Sequence, residues 1–229
     1  MTCTSCKVHL RNCSRGRGRK ETPVRIAIID SGVHAAHVHV NGVAGGVGIT
    51  AEGGEESDFT DHIGHGTAVA AVIREKAPAA EIFAVKIFHD SLATRIEPLV
   101  CAIDWAVRHR MDLINLSLGT GNAAHEAVLR AAVERVRGAG ILLIAAHEEA
   151  GVRWLPGSLP GALPVSLDWD CPRGEYRTTP LPDGRTLYLA SGFPRPIPGV
   201  PLERNLKGLS FAVANVTGLL AAERITACS

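Results

Sequence analysis

Three short motifs carry side chains that could do chemistry together: Asp30-Ser31-Gly32 after an apolar run, His65-Gly66-Thr67 at the start of a helical pattern, and Ser210 within Gly208-Leu209-Ser210-Phe211-Ala212. An acid, an imidazole and a hydroxyl are the parts of a nucleophilic mechanism. A serine hydroxyl attacks poorly at neutral pH unless an imidazole takes its proton, and the imidazole works best when a carboxylate fixes its tautomer and stabilises its charge. Singly, each residue has an ordinary structural role as a turn former or helix cap. It is the order Asp, His, Ser with these flanks that points to acyl transfer.

Such residues can meet only if the elements between them bring distant stretches to one edge. Residues 24–29, 81–88, 113–118 and 141–146 are short apolar runs that read as buried strands. Between them, residues 67–75 read as a helix; Ile96, Leu99, Val100, Ile103, Ala106 and Val107 recur at helical spacing, as do Val128, Leu129, Ala132, Val133 and Val136 before Gly138. Alternation of strands and helices predicts an α/β fold, a three-layer sandwich around a mostly parallel central sheet. Strand ends of such sheets carry functional residues, which suits Asp30, and helix N-termini favour developing negative charge, which suits His65 and Ser210. Between Asp168 and Lys207, dense Pro and Gly predict an extended surface loop with little regular structure.

The 229 residues, 46% apolar, suffice for one substantial core. We divide them into a tail over 1–22 and a single domain over 23–229. The tail holds Lys7, Arg11, Arg15, Arg17, Arg19 and Lys20 without an acid, which leaves 18 basic against 23 acidic side chains in the remainder. Basic character is therefore a property of the tail, expected to be a solvated segment, and nucleic-acid binding is not expected. Cys3, Cys6, His9 and Cys13 could ligate zinc by type, but their short spacings leave little chain to close a site. No apolar run approaches the ~20 residues a membrane helix needs, and Lys7 and Arg11 stand where a signal peptide would be apolar. Scattered cysteines in a chain of this size suit reduced thiols and a cytoplasmic setting.

From about Val24 onward the chain resembles the subtilisin-like serine peptidases. The resemblance extends beyond the three motifs to Leu113-Ile114-Asn115-Leu116-Ser117-Leu118-Gly119, to Ile141-Leu142-Leu143-Ile144-Ala145-Ala146, to Leu155-Pro156-Gly157 and Ala162-Leu163-Pro164-Val165, and to the spacing of Ser210, Ala212, Val216 and Gly218. It implies a subtilisin-like fold with Asp30, His65 and Ser210 as the triad. It also implies an extended peptide or protein substrate laid against Ser117, Leu118, Gly119 and Thr120, with pocket walls from Ala145, Ala146 and Gly157.

The chain departs from the family pattern in the oxyanion loop. Where the family continues Ala-Ala-Gly-Asn, this chain reads Ala145-Ala146-His147-Glu148-Glu149, so the asparagine amide is replaced. Losing one such donor costs about 10²–10³ in turnover. An ionised Glu148 would repel the oxyanion by roughly 5 kcal/mol at ~3 Å and an effective dielectric of ~20; protonated, it could donate, and His147 N–H offers a second route. Leu209 replaces a threonine and Ala214-Asn215 a Pro-His pair, changes expected to tune rate or fit. The family's calcium loop is missing after Lys76, since Ala77-Pro78-Ala79-Ala80 cannot supply six to eight oxygens. No metal or cofactor is expected. His34, His37 and His39 are expected to pack or cap and Trp105 to be core, while Trp154 lies beside the loop that should border the primary specificity pocket, with substrate contact as its minor reading.

These readings combine into a cytoplasmic, calcium-independent serine endopeptidase, suited to processing a peptide or protein precursor. Two alternatives remain at this level: a catalytically silent peptide-binding protein of the same fold, and a relative that transfers the acyl group to an amine.

Overall fold

In β1 (Arg25–Asp30) the side chains alternate between two cores: Ile26 and Ile28 enter one, Ala27 and Ile29 the other, and all four are fully buried. That is the signature of a strand covered on both faces. The computed structural model describes residues 23–201 and 204–228 of the chain. The tail cysteines, His9 and the basic residues of the first twenty positions lie outside the described residues.

After β1 the chain forms β2 (Gly45–Ile49), β3 (Glu55–Glu56), α1 (His65–Lys76), β4 (Glu81–Lys86), α2 (Ile96–Arg108) and β5 (Leu113–Leu116). It continues through α3 (Glu126–Gly138), β6 (Leu142–Ala146), a small pair β7 (Glu148–Glu149) and β8 (Val152–Arg153), then β9 (Leu163–Leu167), β10 (Tyr176–Pro180), β11 (Thr186–Ala190) and α4 (Leu209–Cys228). One sheet runs in the order β10-β11-β9-β6-β5-β1-β4-β2-β3. It is parallel from β11 through β2, with an antiparallel strand added at each edge. The fold is thus α/β with a large, mostly parallel sheet, as expected.

The helices divide by face. Val69, Val72 and Ile73 of α1 and Phe211, Val213 and Val216 of α4 share a core with Ile26, Ile28, Ile82 and Ala84. Leu99, Ile103 and Trp105 of α2 and Leu129, Val133 and Val136 of α3 cover the opposite face, against Ala27, Ile29, Val85 and Ile114. Trp105 is 5% exposed and stacks on His109 at 4.0 Å between centroids. Period two then places Asp30 on the same face as Ile26 and Ile28, the face that α1 and α4 cover. The link from α1 to β4 is one tight turn, with Ala80 N–H donating to Ala77 O at 3.1 Å.

The reading of 168–207 as an extended surface loop with little regular structure is corrected by β10 and β11, which pair antiparallel and extend the sheet through β9. Thr178, Thr179, Leu187, Tyr188 and Leu189 favour a pleated surface, and Leu181 N–H to Arg185 O at 2.8 Å closes the turn around Asp183-Gly184. Proline density concealed them: Pro180 ends an edge strand, where a missing donor is tolerated, and Pro182 lies in the turn. Among the described residues no helix is long and apolar enough to cross a membrane.

Candidate active site

Asp30 is fully buried at the end of β1, and its Oδ1 accepts from Ser31 N–H at 2.8 Å and from His65 Nδ1–H at 2.7 Å. An ionised carboxylate only accepts, so Nδ1 carries the proton and Nε2 keeps a lone pair. Burying a carboxylate costs several kcal/mol unless it is paired. Here the Oδ2 atom is buried without a partner, so the imidazole is the main compensation. Burial works against a charged His65, yet the Asp30 hydrogen bond and charge, helped by the charge of Asp61, outweigh it and hold the imidazole pKa above its ordinary value.

The start of α1 is built to aim His65. Asp61 Oδ1 accepts from Ile63 and Gly64 N–H at 2.9 and 2.8 Å, and its Oδ2 accepts from Thr67 N–H at 2.8 Å and Thr67 Oγ1 at 2.6 Å. Burial disfavours the Asp61 charge, but these donors together hold its pKa below the usual carboxylate value. The next donor, Gly66 N–H, goes to Ser31 Oγ at 2.9 Å. A Cβ on Gly66 would fall 2.1 Å from Gly32 O, so only glycine lets the helix approach β1 closely enough for the Asp30 to His65 contact.

Ser210 is the second residue of α4, where its N–H has no intrahelical acceptor. Its Oγ donates to Ser117 O at 2.9 Å, and Ser117 Oγ donates to Ser210 O at 3.1 Å. Ser210 and His65 line one cavity of about 400 Å³, together with Ser117, Leu118, Gly119, Ala146, Glu149, Trp154 and Lys207. The three motifs separated in sequence therefore reach one edge of the sheet.

The other expected positions divide. Ser117, Leu118, Gly119 and Ala146 line the cavity. Thr120 does not, because its N–H and C=O are both paired with Leu155 at 2.9 Å, leaving nothing for a peptide strand. Ala145 is fully buried in the core under α2 and α3. Gly157 packs beneath the strand, its Cβ position 2.0 Å from Ala146 O.

His147 and Glu148 also stand outside the cavity lining. His147 N–H donates to Val165 O and its carbonyl accepts from Trp154 N–H, both at 2.8 Å, and burial with the nearby Arg185 charge lowers its pKa. Glu148 pairs with Arg153 across the β7–β8 hairpin and is exposed. The loop's acid facing the cavity is Glu149. Its signal in the sequence was weak: the hairpin turns on Ala150 and Gly151, φ 51 and 78, where Asn-Gly would have announced it. Lys207, three residues before Ser210, was likewise missed. Trp154 borders the cavity.

Among the described residues, no group of three or more His, Cys, Asp and Glu is placed to hold a metal ion. His37 Nδ1 accepts from His39 N–H at 3.2 Å, a capping role, and the rings of His34, His37 and His39 meet edge to face.

Residues 21–151 match the model of the subtilase family, a segment that holds Asp30 and His65 and ends before Ser210. The chain is 35% identical over 137 residues to the minor extracellular protease Epr of Bacillus subtilis, covering 56% of this chain and 20% of that protein. It is 31% identical over 148 residues to subtilisin DY of Bacillus licheniformis, covering 60% and 51%. The chain thus spans about half or less of the length of these curated relatives. Among solved structures, that of the prenylagaramide maturation protease PagA superposes with a TM-score of 0.63 at 26% identity, over 87% of this chain and 74% of that one. Sequence match, sheet order and the position of the Asp, His and Ser motifs agree: the chain belongs to the subtilase family.

Proposed function

We propose that this protein is a serine endopeptidase that cleaves its substrate through an acyl-enzyme and serves to process a peptide or protein precursor. The observation that carries the reading is the 2.7 Å contact of His65 Nδ1 with buried Asp30 at a cavity that Ser210 shares. Ser210 Oγ swings from Ser117 O toward His65 Nε2, passes its proton there and attacks the scissile carbonyl. His65 then gives that proton to the leaving amine, and water repeats the sequence to release the acid. The Ser210 N–H, free at the first turn of α4, donates to the oxyanion. The loop after Ala146 brings the Glu149 carboxyl to the cavity lining, and this group would add a second donor to the oxyanion only in its protonated form. Leu118 and Gly119 offer the backbone edge for an extended peptide.

Two features support a processing role. A solved relative carries the name of a maturation protease, and the cavity presents both an acid, Glu149, and a base, Lys207, which suits a selective substrate. Calcium independence is supported by the single turn that links α1 to β4, which has no room for a cation loop. A fluorophosphonate probe tests the reading. Labelling of Ser210 in the wild type, absent in Ser210→Ala and at least 10²-fold slower in His65→Ala, is expected. A folded wild-type protein that stays unlabelled overturns it.

A further inference from the structure

Beside the start of α1 lies a second cavity, of about 450 Å³, whose lining includes His34, His37, His39, Asp61, His62 and Arg195. The linings of the two cavities are neighbours along the chain. His65 of the first falls between Gly64 and Thr67 of the second, and Lys207 of the first follows Leu206 of the second. One extended substrate centred on Ser210 could therefore enter both.

The second cavity sets a few N–H donors among apolar side chains such as Ile63, Ile197 and Leu206, and both the acid in its lining, Asp61, and the acids nearby are already committed. Arg195 donates from Nη1 to His39 O at 3.2 Å and has no carboxylate partner among the described residues. That contact engages one of the five N–H donors a guanidinium carries. With Nδ1 of His37 accepting from the backbone, the neutral ring carries its proton on Nε2 and can donate there. Asp61 is held by Thr67 and the α1 amides. Glu75 pairs with Arg173 and Lys76, and Asp58 with Lys86 and His62. A guanidinium with uncommitted donors beside several imidazoles is a receptor for a planar oxyanion, above all a carboxylate. The imidazoles do not converge on a metal position.

Chemistry decides which part of the substrate reaches it. During cleavage His65 must protonate the leaving nitrogen, so that nitrogen faces the imidazole and the chain beyond it departs past α1. The acyl part stays with Leu118, Gly119 and Ala146 in the first cavity. We propose that the second cavity binds a carboxylate carried by the leaving part of the substrate, either an acidic side chain or the substrate's own C-terminus. The proposal rests on the peptidase reading above and adds the chemical class that the leaving side selects.

Two arms test it. In the first, three peptide pools share a randomised acyl side and differ only downstream: Glu residues with an amidated end, Gln residues with a free carboxylate, and Gln residues with an amidated end. Both carboxylate pools, or one of them, are expected to show a kcat/KM at least 10-fold above the amidated Gln pool, mainly through KM, and which pool gains identifies the source of the carboxylate. Arg195→Gln should shrink that advantage to under threefold, and His62→Gln, at an exposed position, should reduce it without disturbing the Arg195 contact to His39. Equal cleavage of all three pools overturns the proposal.

The second arm needs no catalysis. Short downstream fragments of the same three compositions are titrated into the full Ser210→Ala chain, reading the Arg195 Nε–H and histidine ring resonances. Saturable shifts for carboxylate fragments alone are expected; shifts equal for all three, or none, overturn the proposal. If the wild type cleaves no pool and takes no fluorophosphonate, the peptidase reading fails, and this titration still decides the cavity.

Discussion

Ser117 and Ser210, 93 residues apart, each donate a hydroxyl hydrogen bond to the other's carbonyl. The pair ties the end of β5 to the start of α4, so the nucleophile is located by the sheet and not by its own helix alone. The tie continues inward: Asn115 Nδ2 donates to Ser117 Oγ at 2.8 Å, and Thr217 Oγ1 shares its one proton between Asn115 Oδ1 at 2.9 Å and Val213 O at 2.8 Å. Asn115 and Thr217 are fully buried, so breaking this chain leaves a polar atom without water or partner. Thr217→Val, close in shape, is expected to cost about 1–3 kcal/mol. Thermal denaturation should show it, and an unchanged melting temperature would mean that the chain of hydroxyls does not anchor the nucleophile.

The Asp30 to His65 contact sets the pH profile. Because the pKa of His65 is raised, neutral imidazole, the form able to act as base, accumulates only above the ordinary value of about 6.5. Activity should therefore rise with pH through a limb displaced upward from that value. Asp30→Asn removes the two Asp30 contributions that raise the pKa and leaves burial opposed by the Asp61 charge alone, so the limb should move to lower pH while kcat falls by roughly 10⁴. Stability runs the other way. Between the unfolded value and the raised folded one, the native chain binds more protons, so the His65 contribution is complete at lower pH and fades as pH climbs through the folded pKa. Parallel pH titrations of activity and unfolding in both proteins check the sign.

The sequence disclosed the layers because their signals are local. The two-faced burial of β1 and the helical spacing of α2 and α3 are written in consecutive residues, and the triad motifs sit at element ends where neighbours announce them. What stayed hidden depends on pairing across space. Thr120 was expected to face a peptide, yet its backbone finds Leu155, a partner that no local pattern predicts. Glu149 faces the cleft in place of His147 and Glu148 because a hairpin forms after Ala146 and redirects the loop. The β10–β11 hairpin was masked by prolines that occupy its end and its turn.

Lys76 gives a test of the helical layer beneath the site. Its side chain is only 8% exposed, against Gly218 of α4, with Nζ 3.5 Å from Glu75 Oε2. Burial, reinforced by the charge of Arg173 and opposed by Glu75, lowers its pKa from 10.5 to about 8. The charged form is thus disfavoured in the fold: the penalty is full below about pH 8 and lifts as pH rises toward 10.5. Stability should climb with pH across that window. Lys76→Met should flatten the climb and, at pH 7, stabilise the protein by about 1–3 kcal/mol, since Glu75 keeps Arg173. Denaturant unfolding at pH 7 and 10 measures both effects, and a destabilised variant with the slope intact would refute the assignment.

The β7–β8 hairpin that presents Glu149 turns on a residue ill suited to its backbone. Ala150 has φ 51 and Gly151 φ 78, the left-handed pair that a two-residue turn requires to match strand twist. Glycine adopts it freely, whereas alanine crowds its Cβ against the following carbonyl at about 1–2 kcal/mol. Asparagine tolerates the conformation, because its short polar side chain can bond locally. Ala150→Asn should therefore stabilise the chain by about 0.5–1 kcal/mol and raise its melting temperature by about 1–4 °C for a domain of this size. The same change steadies the hairpin without altering Glu149, so cleavage should keep its preference on the acyl side while hydrogen exchange at Val152 and Arg153 slows. A melting temperature that falls, or exchange that quickens, would mean the loop does not hold this turn, and with it the placement of Glu149 at the cleft would fail.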